Sequence, residues 1–191
     1  MPKGQDANPK TARVVKLGDD MISLDGTPVT IEPPYLFEDS GINKIDGKYY
    51  YSYCSNWNTS GSAYSTAAIE YMVSDNPMGP FTYAGEMFKN PGVFFNVWGN
   101  NHHSLFEFQG KYYLAYHARA LETGVLGKNL GYRSTQIDEV QIENGKIQNV
   151  TATMTGVSQL SNVNPYKQVE AECIGSCLLY TSPSPRDAHE S

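Results

Sequence analysis

Apolar and polar residues alternate along this chain in short stretches, and turn-forming residues separate those stretches. The stretches are rich in Tyr, Val, Ile and Phe, and Gly, Asn, Asp and Pro lie between them, which is typical of β-strands joined by tight turns. No window longer than about ten residues keeps an apolar face at the spacing of an amphipathic helix. The pattern therefore predicts an all-β protein.

A weak repeat organises these strands. Residues 46–53 (DGKYYYSY) return about 63 positions later as residues 109–116 (QGKYYLAY). In each copy an apolar strand enters a Gly turn and a Tyr-rich strand leaves it, as in a β-hairpin. Further strand candidates follow at 67–73, 81–84, 133–142 and 146–151. The period suits a four-stranded propeller blade with its loops, but two hairpins of a β-sandwich fit the periodicity equally well.

Composition narrows the function classes. The 191 residues are 40% hydrophobic and 18% charged, a balance that supports a folded domain with a sizeable core. The net charge of −6 and the absence of a Lys/Arg cluster argue against a nucleic-acid or anionic-membrane partner. No apolar run reaches membrane-spanning length. Fourteen tyrosines suit a sugar-binding cleft, although tyrosine is also a good strand residue.

Three carboxylates before the first Tyr-rich hairpin are candidates for acid–base chemistry: Glu32, Glu38 and Asp39. Hydrolysis of a glycosidic bond usually needs one protonated and one ionised carboxyl group. The pKa of the acid must be raised by burial or by a neighbouring charge, and Asp39 could raise that of Glu38 by like-charge repulsion. The alternative is that these groups are solvated loop carboxylates.

Residues 37–53 (FEDSGINKIDGKYYYSY) resemble the general-acid segment of glycoside hydrolase family 43, whose members are five-bladed β-propellers. That segment has a glutamate, a lysine six positions later, a Gly turn and a Tyr-Tyr strand, and Glu38 and Lys44 keep this spacing. Asp39 departs from the usual Gly or Ala, and Glu32 is out of register with the hairpin. The resemblance implies that Glu38 is the general acid.

Residues 101–105 (NHHSL) are similar to the Gly-His-x-Ser motif of the fifth blade, with Asn101 in place of the glycine. In the family this histidine lies on the propeller axis and contacts a hydrated calcium ion, which implies that role for His102. Adjacent strand residues point to opposite faces, so His102 and His103 cannot both line the channel. Calcium prefers oxygen ligands, so one histidine argues for a largely water-coordinated Ca²⁺.

Residues 131–135 (GYRST) resemble the family's Gly-x-Arg segment in the last blade, whose arginine reaches the substrate. The resemblance implies that Arg133 binds sugar hydroxyls through several donors. The alternative is that Arg133 is an arginine at the surface of a strand. Trp57, Phe95 and Trp98 are the aromatic platforms expected near the cleft.

Three stretches, residues 41–44 (GINK), 100–104 (NNHHS) and 131–135 (GYRST), resemble the family members that debranch arabinoxylan and carry a family 6 carbohydrate-binding module. On this resemblance, residues 1–164 are the C-terminal part of the propeller, about its last two blades. Residues 165–176 are the truncated start of the module, a β-sandwich. Residues 177–191, written back into codons, resemble a transposase-based sequencing adapter and are expected to be an artefact. The family's general base and acid-orienting aspartates belong to the first and third blades, so the chain alone is expected to be inactive.

The resemblance implies an enzyme that removes α-L-arabinofuranosyl side chains from arabinoxylan with inversion. No organic cofactor is needed, since side chains and water complete the chemistry. A polymeric substrate implies a bacterial protein that is secreted or at the cell surface. A β-xylosidase or an endo-acting xylan or arabinan hydrolase remains an alternative on the same scaffold. A non-catalytic carbohydrate-binding propeller or an interaction propeller is another, but neither needs a carboxylate in register with the hairpin.

Overall fold

The computed structural model describes residues 6–158, and these are mostly β-strand, as the sequence pattern predicts. Residues up to Gly156 belong to one compact unit. The predicted boundary at 164, the start of a module at 165–176 and the adapter-like tail at 177–191 lie outside the described residues.

Two antiparallel sheets carry most of the strands. A small sheet of β1 (Ala12–Val14) and β2 (Val29–Ile31) precedes them. The first large sheet has four strands in chain order: β3 (Leu36–Ile45), β4 (Lys48–Ser55), β5 (Ile69–Ser74) and β6 (Thr82–Phe88). Helix α1 (Gly92–Phe95) follows. The second large sheet has three: β7 (His103–Phe108), β8 (Lys111–Ala118) and β9 (Ser134–Val140), with helix α2 (Ala120–Leu126) between β8 and β9. A hairpin of β10 (Ile142–Glu143) and β11 (Lys146–Ile147) ends the series.

The repeat seen in the sequence corresponds to the two hairpins β3–β4 and β7–β8. Both turn residues of each hairpin have positive φ: 47° and 80° at Asp46 and Gly47, and 50° and 76° at Gln109 and Gly110. Two positive φ values are the mark of a type I′ turn, whose twist matches that of the flanking strands. The Gly turns therefore set the register of both hairpins.

A shared core joins the two large sheets. Phe88 at the end of β6 is fully buried and packs against Tyr116 of β8, with ring centroids 4.5 Å apart. The side-chain amide of Asn43 donates to the backbone carbonyl of Leu105 across the sheets at 2.7 Å. Burial of such aromatic rings is the main stabilising contribution in a core of this kind. The packing places β3 beside β7, so the starts of these two strands lie close together.

The structure differs from the sequence expectation in two elements. Strand β3 runs from Leu36 to Ile45 and continues through two register shifts that the alternation pattern does not reveal. Helix α2 has only seven residues, too few to produce a helical periodicity in the sequence. Within residues 6–158, no helix has the length and apolar character needed to span a membrane.

Candidate active site

Glu38 lies in an irregular part of β3. It is opposite Cys54 of β4, and register shifts occur on both sides of it, before Glu38 and between Glu38 and Ser40. Asp39 has a φ of 61°, which is uncommon for a residue other than glycine. Bulges of this kind turn side chains out of the regular alternation and are frequent next to active sites.

The carboxylate of Glu38 faces His102. Glu38 Oε1 is 2.9 Å from His102 Nε2, and the Glu38 side chain is 16% exposed while that of His102 is 40% exposed. The contact is poorly aligned, so neither atom has a hydrogen-bond partner within the described part of the chain. Unpaired polar atoms in a buried position are costly. Glu38 and His102 therefore face each other without an aligned hydrogen bond, and buried polar groups left in this way often have a functional role.

His103 binds the neighbouring carboxylate instead. Its backbone N–H donates to Asp39 Oδ2 at 2.8 Å, and its ring Nδ1 contacts the same oxygen. Burial opposes the ionisation of Asp39, but the hydrogen bonds and charge of His103 outweigh it and hold the pKa of Asp39 below its ordinary value. The Asp39 carboxylate is thereby engaged by His103, and its predicted repulsion of the Glu38 carboxylate stays a prediction. The two adjacent histidines take different partners: His102 faces Glu38, and His103 binds Asp39.

A cavity of about 200 Å³ lies beside His117, whose ring is next to that of His102. It is lined by Pro91, Val97, Gly99, Asn100, His117, Ala118, Arg119, Gly131 and Arg133. The rings of His117 and His102 are 5.4 Å apart, and His117 Nε2 is buried without a partner among the described residues. Burial, followed by the charges of Arg133 and His102, lowers the pKa of His117. His117 therefore links the cavity to Glu38 through His102, as a neutral imidazole near pH 7.

Arg133 lines the cavity, and its contact with substrate stays a prediction. The buried carboxylate of Glu122 in α2 accepts a hydrogen bond from the backbone N–H of Gly131 at 2.9 Å. This bond anchors the segment that carries Arg133. The guanidinium offers five donors in a fixed geometry, which suits vicinal hydroxyl groups.

The three predicted aromatic platforms have different environments. Trp98 is 46% exposed and packs over Gly92, where a Cβ atom would come within 2.4 Å of the indole ring. Its neighbours Val97 and Gly99 line the cavity, so Trp98 lies at the cavity rim. Trp57 is partly exposed after β4 but is not among the lining residues, and Phe95 packs against the core.

The metal prediction rests on His102 alone. Among residues 6–158, no cluster of three or more His, Cys, Asp or Glu side chains could hold a metal ion. His102 Nε2 lies 2.9 Å from Glu38 Oε1 without an aligned hydrogen bond. The described residues provide no protein-built calcium cage, and the contact of His102 with a hydrated calcium ion stays a prediction.

Other residues of the site have no sequence signal of their own. Ser52 in β4 contacts His103 Nε2 through its hydroxyl at 2.7 Å, yet it lies inside a Tyr-rich strand with no motif around it. The buried amide of Asn101 donates to the carbonyl of Ala67 at 3.0 Å and fixes the approach to β7. Glu32, the alternative acid, forms an ion pair with Lys10 at the surface, with both side chains more than half exposed.

Comparison with known proteins identifies relatives of this chain by sequence, although not by a family model. No family model matches the chain. It is 56% identical over 170 residues to an arabinoxylan arabinofuranohydrolase of Paenibacillus polymyxa, a match that covers 88% of this chain and 27% of that protein. It is 51% identical over 188 residues to an arabinoxylan arabinofuranohydrolase of Bacillus subtilis strain 168, covering 96% and 37%. The chain thus spans between about a quarter and two fifths of the length of these relatives.

Solved structures of the same family align with the fold. A glycoside hydrolase family 43 arabinoxylan arabinofuranohydrolase from Bacillus subtilis, in complex with cellotetraose, superposes with a TM-score of 0.79 at 50% identity, over 87% of this chain and 34% of that one. A family 43 β-xylosidase/α-arabinofuranosidase from a compost metagenome, in complex with xylotriose and in a calcium-free form, gives a TM-score of 0.56 at 29% identity over 72% and 41%. Sequence identity of this extent, together with the superposition on solved structures, shows that the chain belongs to glycoside hydrolase family 43.

Proposed function

We propose that the complete gene product removes α-L-arabinofuranosyl side chains from arabinoxylan and that Glu38 is its general acid. The observation that carries the proposal is the Glu38 carboxylate, turned by a bulge toward His102, with Oε1 2.9 Å from His102 Nε2 but without an aligned hydrogen bond. The ring of His102 in turn lies beside His117, which lines the cavity. The relatives with 51% and 56% identity, both arabinoxylan arabinofuranohydrolases, support this substrate.

The chemistry requires one proton from Glu38. Protonated Glu38 donates to the glycosidic oxygen as the bond between that oxygen and the arabinose C1 breaks. A water molecule adds to C1 from the opposite face and gives its proton to a second carboxylate, so the anomeric configuration inverts. Asp39 is occupied by His103 and does not fit the role of base. We assign the base to a part of the complete protein other than residues 6–158.

Substrate recognition falls to the cavity. Arg133 and His117 line it, and both supply hydrogen-bonding groups for sugar hydroxyls. The exposed ring of Trp98 offers an apolar face of the kind on which a sugar ring stacks, and the partly exposed ring of Trp57 offers another. Neither ring is among the residues that line the cavity, but Val97 and Gly99, the neighbours of Trp98, are.

The two large sheets are proposed to be two blades of a five-bladed propeller. The support is the repeated hairpin with its type I′ turns and the alignment with about a third of a family 43 structure. On this proposal His102 faces the propeller axis, and a largely hydrated Ca²⁺ beside it supplies fixed positive charge. Secretion or display at the cell surface is proposed because the substrate is an extracellular polymer.

Assay of the complete gene product tests the function. Wild type is expected to release arabinose from arabinoxylan and to prefer an aryl arabinofuranoside over the corresponding xyloside, while Glu38→Gln removes release from arabinoxylan. Glu32→Gln is the matched control, since Glu32 is paired with Lys10 at the surface, and it should behave as wild type. Full activity of Glu38→Gln would refute the assignment, and preference for the xyloside would make the protein a β-xylosidase. The 191-residue chain alone is expected to release no arabinose.

A further inference from the structure

We propose that Asp39, His103 and Ser52 form a clamp that positions Glu38 for proton donation. The three side chains come from β3, β7 and β4, so the clamp joins both large sheets. The proposal rests on the proposed function, in which Glu38 is the acid.

The backbone around Glu38 needs such support. Two register shifts fall between Leu36 and Ser40, so regular hydrogen bonding between β3 and β4 is interrupted on both sides of Glu38. The positive φ of Asp39, 61°, lies in a region that residues other than glycine seldom occupy, and it persists only where the surroundings enforce it. The ladder between β3 and β4 cannot enforce it at this point.

His103 supplies the missing hold. Asp39 Oδ2 accepts from the backbone N–H of His103 and lies against its ring Nδ1. An ionised carboxylate accepts but does not donate, so Nδ1 carries a proton. The hydroxyl of Ser52 pairs with Nε2 over 2.7 Å, as donor to a neutral ring or as acceptor from a charged one. Every polar atom of the imidazole is thereby paired, and the ring has one orientation.

The same three residue types form the nucleophilic triad of serine hydrolases, but burial excludes that role. The His103 side chain is 1% exposed, and Ser52 is also 1% exposed. A nucleophile must reach the substrate carbon, and no substrate can reach a hydroxyl at this depth. The constellation can act on the reaction only through the residues that it holds.

The clamp holds Glu38 and His102, the candidate acid and the histidine that faces it. Glu38 precedes Asp39, and His102 precedes His103, so the contact between Asp39 and His103 fixes both backbones next to the 2.9 Å approach of Glu38 to His102. A displacement of about 1 Å in a reacting group can cost a factor of about 100 in rate. Loss of the clamp should therefore weaken proton donation specifically.

Leaving-group dependence in the complete gene product separates this effect from general damage. A misplaced acid slows substrates with a poor leaving group, such as arabinoxylan, much more than 4-nitrophenyl α-L-arabinofuranoside, whose phenolate leaves with little protonation. Asp39→Ala is expected to lower kcat on arabinoxylan at least about tenfold more than on the aryl substrate, with KM changed less than about twofold. Asp39→Asn keeps an acceptor oxygen for His103 and should restore part of the difference.

A matched control lies in the second sheet. Asp138 in β9 is also buried and accepts from Tyr116 and Thr153, but it does not contact the clamp. Asp138→Asn should change kcat on both substrates by the same factor. Ser52→Ala removes one hydroxyl from the clamp. It should also lower kcat more on arabinoxylan than on the aryl substrate, but by a smaller factor than Asp39→Ala. This variant keeps the test decisive if Asp39→Ala fails to fold.

The clamp would be overturned if Asp39→Ala and Ser52→Ala lowered kcat equally on both substrates while Glu38→Gln lowered it more on arabinoxylan. If Glu38→Gln itself lowered kcat equally on both substrates, the proposed function would be refuted instead.

Discussion

Glu70 and Glu38 show that a buried carboxyl group with a raised pKa is not necessarily one that a substrate can reach. Glu70 in β5 is fully buried and accepts from the hydroxyl of Tyr83 at 2.8 Å. Burial raises the pKa of Glu70 to about 7, against the lowering effect of that hydrogen bond. Glu38 is only partly buried and faces a half-exposed histidine. Glu70 has a raised pKa but no access to substrate, whereas Glu38 has the partial exposure that a catalytic acid needs.

Glu70 should make stability depend on pH. Its folded-state pKa lies above the ordinary 4.5, so the unfolded chain releases this proton first and the contribution to stability falls as pH rises from about 4.5 to about 7. Glu70→Gln keeps an acceptor for Tyr83 without the charge and should be more stable than wild type at pH 8 by up to about 3 kcal/mol. Urea unfolding at pH 5 and pH 8 measures the difference.

The exposed Glu107 of β7 provides the control for that experiment. Glu107→Gln should leave the pH dependence of unfolding as in wild type. An identical pH dependence in wild type and Glu70→Gln would show that Glu70 is not buried as described.

At the scale of elements, helix α2 contributes to the site through one hydrogen bond. Glu122 lies in its first turn and accepts from Gly131, and Gly127 ends the helix with a φ of 61°. This φ lies in the left-handed region, where glycine avoids the steric cost of a side chain. The short helix thus turns the chain and anchors the loop that leads to Arg133.

Removal of this anchor should affect substrate binding more than turnover. Glu122→Ala is expected to raise KM for arabinoxylan by about three- to tenfold, with a smaller change in kcat, because Arg133 contacts the sugar in the ground state and the transition state alike. Initial rates over a range of arabinoxylan concentrations test this. Leu121→Ala, at an exposed position of the same helix, should leave both constants unchanged, and a fall in kcat alone for Glu122→Ala would contradict the anchoring role.

The elements also show what the sequence can and cannot predict. Alternation and the Gly turns predict the hairpins around Gly47 and Gly110, because turn type and strand pattern are local properties. The bulge at Asp39 has no such local signal. Ser52 and His103 are 51 residues apart, and their contact arises from the packing of two sheets. Glu38 and His102 were identified by motif, while the groups that hold them depend on tertiary contacts.

At the scale of the whole molecule, the two large sheets depend on one aromatic centre. Phe88 is fully buried, stacks on Phe94 at 5.8 Å and meets Tyr116 at 4.5 Å. The hydroxyl of Tyr71 in β5 also accepts from the backbone of Ile147 in β11 at 3.2 Å. These contacts hold β3 and β7 side by side, which is the condition for the approach of Glu38 to His102.

Loss of the central ring should therefore destabilise the fold as a unit. Phe88→Ala is expected to lower the free energy of unfolding by about 3 to 5 kcal/mol, the usual cost of truncating a buried phenylalanine. Phe108→Ala, at an exposed position of β7, should cost less than about 1 kcal/mol. Urea denaturation of both variants measures this, and a cost below about 1 kcal/mol for Phe88→Ala would contradict the shared core.

The central claim is that Glu38 gives a proton to the departing sugar oxygen. The most direct measurement is the kcat of Glu38→Gln relative to wild type, in the complete gene product, on arabinoxylan and on 4-nitrophenyl α-L-arabinofuranoside. A positioned general acid contributes about 10² to 10⁴ in rate, so we predict a loss of that size on arabinoxylan and a much smaller loss on the aryl substrate. Equal losses on the two substrates, or none, would contradict the assignment of Glu38 as the acid.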